Sequence, residues 1–291
     1  MSLPRSGSVA LFGAGRVGTT VAYVLTRAGH ELIGVASPTQ ASAKAASQRL
    51  GCKVFSDPVE LAGNAETVLI GAPDHELADA AEAIAPGVGR NTLACHFSGV
   101  SGTAPLASIR RRGGATAALH PVQSFVDFDR AASALAGCAW GVTCANEDLH
   151  RSMALVADTG GHGVRVAEED RPVWHAAAAM ASNGLAALVA DAEMLLAGIG
   201  IERPLEILAP LIQGTVANLG LFESAVDALT GPVVRGEREV VQRHLDAFAA
   251  QRDDVDLENY SRVAEMILRA ARRSGRLDPE AGKAIEEVLA R

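Results

Sequence analysis

The architecture of this chain follows from one short segment, Val9-Ala10-Leu11-Phe12-Gly13-Ala14-Gly15-Arg16-Val17-Gly18. Its first four residues are apolar and predict a buried strand, which leads directly into G-x-G-x-x-G. The apolar periodicity from Val17 to Ala28 then predicts a helix, and Glu31 to Ala36 predicts a second strand. The segment therefore predicts a strand, a glycine turn, a helix and a further strand in the order of a βαβ unit.

Each glycine of the turn has a separate use in a dinucleotide site. Gly13 allows the tight turn, Gly15 lets the backbone approach a pyrophosphate, and Gly18 lets the helix pack closely on the strand. Free amide groups at the start of the helix, together with its dipole, favour an anion there. We expect a bound dinucleotide, and the alternative is a glycine turn with a structural role alone.

Composition excludes several classes of partner. The chain has 291 residues, enough for two domains or one large one, and a formal net charge of -8. This charge argues against nucleic acid or an anionic membrane as the main partner. The longest apolar stretch, Ala176 to Ala190, is interrupted by polar residues, and we expect it to be too short to span a bilayer.

The four cysteines indicate the cellular compartment. Cys52, Cys95, Cys138 and Cys144 show no C-x-x-C spacing and lie in or beside apolar runs. They predict buried free thiols, with neither a disulfide framework nor a metal site. The start of the chain is polar and shows no secretory signal pattern. We therefore expect a soluble cytoplasmic protein.

The chain changes character after Glu168. Before it, short apolar runs alternate with helical segments, which predicts a doubly wound α/β Rossmann domain over residues 1–168. Residues 169–291 show no convincing strand and predict an all-α domain. A long helix from about Arg171 to Ala197 is apolar nearly all round, which indicates burial against other helices or a second subunit. We expect a homodimer formed through this domain. The other predicted strands cover residues 53–55, 67–71, 92–96, 115–119, 139–144 and 163–166.

The end of the second strand favours NADP over NAD. An NAD site normally has an acidic residue there, whereas this strand is followed by Ser37, Pro38 and Thr39. These hydroxyl groups, with Lys44 on the next helix, are suited to a 2′-phosphate. The alternative is that Ser37 and Thr39 shape the loop and cap the helix. The predicted cofactor-binding residues are Gly13, Ala14, Gly15, Arg16, Val17, Gly18, Ser37, Thr39, Lys44, Ala72, Pro73, Asp74, Ser98 and Gly99.

Polar groups follow two later strands and recur on the long helix. One strand leads into His96-Phe97-Ser98-Gly99, and the next leads into His120-Pro121. Ligands of open α/β sheets bind beyond such carboxyl ends. On the long helix, His175 and Ser182 are seven positions apart and share a face, with Asn183 close to it. These residues predict the reaction site.

The chain resembles the 6-phosphogluconate dehydrogenase-like superfamily. More narrowly, it is similar to a family of NADP-dependent oxidoreductases whose C-terminal domain has no assigned function. The motifs that carry the resemblance are His96 to Gly99, Leu119 to Phe125, His175 through Ser182-Asn183, and Thr230 to Gly236. A looser likeness to prephenate dehydrogenases implies that His120 is the catalytic histidine and that Ser98 supports it. The lysine that the superfamily often carries on the long helix is absent here.

These observations predict an NADP-dependent oxidoreductase that acts on a small carboxylate-bearing carbonyl or hydroxy compound, and a ketopantoate-reductase-like activity is one example. His120 would be the general acid/base, with Ser98, His175 and Asn183 as further catalytic residues. Ser182 and Arg235 would bind substrate, although Arg235 could instead pair with Glu237 or Glu239. The alternative function is a non-catalytic NAD(P)-binding sensor or regulatory dimer.

Overall fold

A computed structural model describes residues 7–251 and 254–290 of the chain. It divides into two compact units, Met1–Asn183 and Gly184–Arg291. The α/β pattern lies in the first unit and the second is helical, which confirms the predicted fold class. The predicted boundary after Glu168 falls 15 residues before this division, because the first two turns of the long helix pack with the sheet.

The first unit contains a seven-stranded sheet with the order β2-β1-β3-β4-β5-β6-β7. Its strands are β1 Ser8–Phe12, β2 Glu31–Ala36, β3 Thr67–Ile70, β4 Leu93–His96, β5 Ala115–Pro121, β6 Ala139–Cys144 and β7 His162–Arg165. All neighbouring pairs are parallel except β5 and β6, which run antiparallel. The strand expected over residues 53–55 is wrong, since Val54 forms a single bridge with Val35.

Helices cover both faces of this sheet. They are α1 Arg16–Arg27, α2 Gln40–Leu50, α3 Pro58–Gly63, α4 Leu77–Ile84, α5 Ala107–Arg111, α6 Phe128–Ala134 and α7 Leu149–Asp158. The strand period of two separates the core into two layers. Val9 and Leu11 of β1 enter one cluster, and Ala10 and Phe12 enter the other. A strand that is buried on both faces explains the continuous apolar run in the sequence.

The glycine turn is built on backbone contact between β1 and β3. Gly13 has a positive φ of 83°, and Gly71 follows β3. A Cβ atom at Gly15 would lie 2.5 Å from the carbonyl oxygen of Gly71, and one at Gly71 would lie 2.3 Å from that of Gly13. Gly18 likewise faces Leu11 and the Gly71 backbone. The glycines are therefore required by packing as well as by any ligand.

A long helix begins in the first unit and continues into the second. It consists of α8 Arg171–Ala179, a π-helical turn Met180–Gly184 and α9 Leu185–Gly198. By length and composition alone, the helix from Arg171 to Gly198 could cross a membrane, because the π-turn continues it through Ser182-Asn183-Gly184. However, Arg171 is fully buried in the first unit. Residues 184–198 extend roughly 22 Å, less than a hydrocarbon core of about 30 Å.

The second unit continues with α10 Pro204–Leu219, α11 Pro232–Arg235, α12 Arg238–Gln251, α13 Asp254–Arg273 and α14 Pro279–Leu289. Its core lies among α11 to α14 and includes Val234, Val241, Leu268 and Ile285. Helices α9 and α10 carry no buried residue. The second unit therefore exposes the apolar surface of two helices.

Candidate functional site

The glycine turn forms one wall of a cavity of about 590 Å³ at the carboxyl ends of β1, β2 and β3. Seven predicted cofactor-binding residues line it: Gly13, Ala14, Gly15, Ser37, Thr39, Ala72 and Pro73. Ser42, which the sequence reasoning missed, also lines the cavity. Its proximity could have been inferred, because Thr39 caps α2 and accepts a hydrogen bond from the Ser42 amide.

The charges around this cavity are mixed. The β2 end contributes no acid, while Glu76 and Asp79 lie in the opposite wall. Arg16 and Arg49 line an adjoining cavity of about 530 Å³, which shares Ala14 and Ser42 with the first. The two cavities together place small hydroxyl groups beside two guanidinium groups.

Several predicted cofactor residues lie outside the cavity lining. Val17 and Gly18 lie in α1, with Gly18 buried against the sheet, and the exposed Lys44 lines neither cavity. Asp74 begins a 3₁₀ turn after Pro73 and is exposed. Ser98 and Gly99 lie beyond β4, at the second group of polar residues. Cofactor binding by these residues stays a prediction.

His96, the last residue of β4, organises the loop that follows it. Its side chain is fully buried, with Nε2 2.7 Å from the Gly102 carbonyl oxygen, and its Nδ1 accepts a hydrogen bond of 3.2 Å from the Ser98 amide. Burial, chiefly, lowers the pKa of His96 to about 4. His96 is therefore a neutral histidine that fixes the loop over Ser98 to Gly102.

The structure brings together four predicted residues beyond β4 and β5. A Cβ atom at Gly99 would lie 2.2 Å from Cδ2 of His175 and 2.9 Å from Nε2 of His120. The rings of His120 and His175 are 5.5 Å apart and nearly perpendicular. Ser98 is buried and its hydroxyl oxygen accepts a hydrogen bond from the Ser101 amide. Gly99 is needed here because a side chain would strike both histidines.

His120, the predicted general acid/base, is hydrogen-bonded to Trp174 and partly buried. It lies near the end of β5, opposite Gly141 of β6, and its Nδ1 accepts a 3.0 Å hydrogen bond from Nε1 of Trp174. Burial, followed by the charges of His175 and Arg171, lowers the pKa of His120 to about 4. The imidazole is therefore the neutral form at neutral pH. Its catalytic role stays a prediction.

Arg171, which the sequence reasoning missed, joins the long helix to the loop after β4 and to the strands β5 and β6. Its guanidinium donates to the carbonyl oxygens of Ser98, Ala118 and Gly141 and to the Thr143 hydroxyl. Burial lowers the pKa of Arg171 to about 10, so the group is still a cation at neutral pH. An arginine at the start of a helix is typically a surface residue. No local signal in the sequence distinguishes this one.

Ser182 and Asn183 lie in the π-helical turn and are exposed. The turn rotates the helix relative to a straight α-helix, so the spacing argument from His175 does not carry over to them. π-turns occur frequently at functional sites, which keeps both residues as candidates. Glu168, three residues before α8, accepts hydrogen bonds from the Thr103 hydroxyl and the Ala104 amide.

Arg235 lies in the second unit and makes a two-pronged ion pair with Glu237, with N–O distances of 2.7 and 3.0 Å. This is one of the two alternatives that the sequence left open, and binding of a substrate carboxylate stays a prediction. Within the described ranges, no cluster of three or more His, Cys, Asp or Glu residues could hold a metal ion. The four cysteines, all described, are free thiols.

Two domain models match the chain, and the second begins just before β6, inside the first unit. Residues 3–121 match the model of a Rossmann-like domain, and residues 138–267 match a domain of unknown function, DUF2520. No curated protein matches.

Solved structures share the fold over most of their length. A Bacteroides fragilis protein, assigned provisionally as an NADP oxidoreductase, has a TM-score of 0.74 at 23% identity and covers 91% of this chain and 99% of its own. A pyrroline-5-carboxylate reductase from Coxiella burnetii has a TM-score of 0.60 at 14% identity, with 98% and 99% covered. An Aspergillus terreus reductive aminase has a TM-score of 0.63 at 17% identity, with 97% and 99% covered.

The neutral buried His96 makes stability depend on pH. Its pKa in the folded chain, about 4, is below the ordinary 6.5, so between these values the unfolded chain binds a proton that the folded chain excludes. We expect the free energy of unfolding to fall as the pH is lowered through this range, by roughly 1 kcal/mol per pH unit from this residue.

Urea unfolding of the wild type at pH 7 and pH 5 measures this dependence. His96→Gln should reduce the difference between the two pH values, whereas His75→Gln, at an exposed histidine, should leave it unchanged. A full pH dependence in His96→Gln would contradict the assignment.

Proposed function

We propose that this chain, a Rossmann-like domain joined to a DUF2520 domain, is an NADP-dependent oxidoreductase. One observation carries the proposal: a cavity lined by the glycine turn and a cluster of His120, His175, Ser98 and Gly99 lie at the same edge of one sheet. A dinucleotide whose pyrophosphate rests on α1 extends along this edge in doubly wound folds, from the β1–β2 side towards later strands. The cluster is then in position to meet the nicotinamide.

The cavity walls support NADP as the cofactor. Ser37, Thr39 and Ser42 supply hydroxyl groups, and Arg16 and Arg49 line the adjoining cavity. Guanidinium and hydroxyl groups suit the extra phosphate of NADP, whereas a carboxylate at the β2 end, which would suit the ribose of NAD, is absent from Ser37 to Thr39. The acidic Glu76 and Asp79 lie across the cavity, on the β3 side.

The reaction that fits the cluster is hydride transfer between the nicotinamide and a small carbonyl or hydroxy compound. Reduction places the hydride on the carbonyl carbon and leaves an oxygen that needs one proton, which comes from water overall. His120 is placed to hydrogen-bond that oxygen, with Ser98, His175, Ser182 and Asn183 as positioning groups. A substrate carboxylate, with Arg235 as its partner, would make a ketopantoate-reductase-like reaction one instance of this chemistry.

We further propose that α9 and α10 bind a second copy of this chain. Their large apolar side chains are exposed, including Leu185, Leu188, Met194, Leu205, Ile207, Leu211, Val216 and Leu219. An exposed apolar surface of this extent marks an interaction site. A bilayer is a poor partner because Arg171 holds the start of the long helix in the Rossmann unit, whereas an identical pair of helices offers a matching apolar surface. The cytoplasmic location stays a prediction.

Calorimetry with NADPH and NADH tests the cofactor assignment. We expect NADPH to bind at least about tenfold more tightly, a difference of about 1.4 kcal/mol, because the hydroxyl and guanidinium groups contact its extra phosphate. Arg49→Ala should weaken NADPH binding selectively, whereas Lys53→Ala, at an exposed lysine that lines neither cavity, should leave both affinities unchanged. Tighter binding of NADH would overturn the preference.

A substrate screen that follows NADPH absorbance tests catalysis. Once a substrate is found, His120→Ala should lower turnover by about a hundredfold or more, because the developing oxygen charge loses its hydrogen bond. His75→Ala is the matched control on an exposed loop. Normal turnover by His120→Ala, with NADPH still bound, would show that the site is wrong.

Sedimentation of the full chain tests self-association. The wild type should sediment as a dimer, and Leu211→Glu should shift it to a monomer because a charge would be buried in the interface. Val126→Glu, at a side chain that is 85% exposed in the first unit, should remain dimeric. A monomeric wild type at micromolar concentration would contradict the proposal.

A further inference from the structure

The indole ring of Trp174 lies beside His120, in a space on the sheet where Gly141 has no side chain. Its indole Nε1 is 3.0 Å from Nδ1 of His120 and donates a hydrogen bond to it. Gly141, which pairs in register with His120 across β5 and β6, provides the space. A Cβ atom at Gly141 would lie 2.7 Å from Trp174 Nε1. The indole is therefore held by a glycine on one strand and a histidine on the next.

This hydrogen bond determines which nitrogen of His120 carries the proton. An indole N–H is a donor only, so Nδ1 of His120 must accept with its lone pair. A neutral imidazole carries one proton, which must then lie on Nε2. Nε2 is also the ring nitrogen that approaches Gly99, beside the His175 ring. The His120 N–H group therefore faces the cluster that we assign to the reaction.

A second proton on His120 is disfavoured from several directions. The imidazolium would place an N–H group against the N–H group of Trp174. Arg171 and His175, both on α8, oppose added positive charge, while Asp74, after β3, favours it. Burial is the largest cause, and together these effects lower the pKa of His120 to about 4. The hydrogen-bond geometry and the surrounding charges thus agree on a neutral ring.

We propose that Trp174 is a positioning residue that holds His120 as the Nε2–H tautomer, so that the site offers a hydrogen-bond donor to a carbonyl oxygen. This inference rests on the proposed oxidoreductase function for the identity of the substrate, while the tautomer itself does not. It narrows the substrate class to ketones and aldehydes, or their alcohols in the reverse direction.

The donor discriminates between two kinds of hydride acceptor. A carbonyl oxygen has lone pairs that accept from Nε2–H, and the bond strengthens as hydride transfer gives the oxygen negative charge. A protonated imine has an N–H group and no lone pair on nitrogen, so it would meet a second donor. Trp174 therefore directs the site towards carbonyl compounds through His120.

Nitrogen-15 NMR of the histidine rings tests the proposal in the full chain without cofactor or substrate. His120→Gln assigns the His120 signals by their loss. In the wild type we expect the Nε2–H pattern to persist from pH 8 down to about pH 5. Trp174→Phe keeps an aromatic ring and removes the N–H group, so His120 should show a mixture of tautomers and titrate nearer its ordinary pKa.

Trp140→Phe is the matched control, since Nε1 of the buried Trp140 has no hydrogen-bond partner among the described residues. It should leave the His120 signals unchanged. Gly141→Ala provides a second route, because its Cβ displaces the indole; it should reproduce the effect of Trp174→Phe if that variant does not fold.

An Nδ1–H pattern in the wild type would overturn the proposal, and so would His120 signals that are the same in Trp174→Phe or Gly141→Ala as in the wild type. These measurements are made without NADPH, so their outcome does not depend on whether the proposed oxidoreductase function is correct. If the protein fails to bind NADPH, the oxidoreductase assignment is wrong. The NMR spectra still decide independently whether Trp174 holds the His120 tautomer.

Discussion

The arrangement of the candidate site depends on one buried cation. Arg171 donates to the carbonyl oxygens of Ser98 after β4, Ala118 in β5 and Gly141 in β6, and to the Thr143 hydroxyl. Removing a guanidinium from water is costly; hydrogen bonds to backbone carbonyl oxygens offset part of this cost, and the charges of Glu168 and Asp74 also favour the cation. Because Arg171 is the first residue of α8, these bonds also place Trp174 and His175 over the strand ends. The first turn of the helix is thereby fixed on the sheet.

A different constraint shapes the cofactor end of the same sheet edge. There the backbone at Gly13 and Gly15 touches the backbone at Gly71, at distances that exclude any side chain. The cavity beyond is lined by small residues and hydroxyl groups. The glycine-turn end of this sheet edge is therefore shaped by the absence of side chains. The other end is shaped by one long side chain, that of Arg171. This difference explains why the sequence predicted the glycine turn and did not predict the role of Arg171.

The cation also influences the protonation of its neighbours. His96 and His120 are both neutral at physiological pH, each chiefly through burial, and Arg171 lowers the pKa of both. The two histidines use their ring nitrogens differently. Both ring nitrogens of His96 form hydrogen bonds within its own loop. His120 accepts a hydrogen bond from Trp174 at Nδ1, and its Nε2 faces the cluster. Of the two, His120 is the one available to a ligand.

Local patterns in the sequence determined the glycine turn, the α/β order and the helical second half. They also placed His120, Ser98 and Gly99 near strand ends. Turn chemistry and hydrophobic period are encoded within a few residues, so a local pattern is enough to predict these features. The tertiary structure alone decided the antiparallel β6, the π-turn beneath Ser182 and Asn183, and the roles of Arg171 and Trp174. The partners of Arg171 lie 73, 53, 30 and 28 positions away, and that of Trp174 lies 54 away. Contacts between residues so far apart in the sequence form only when the sheet has assembled, so no local sequence pattern predicts them.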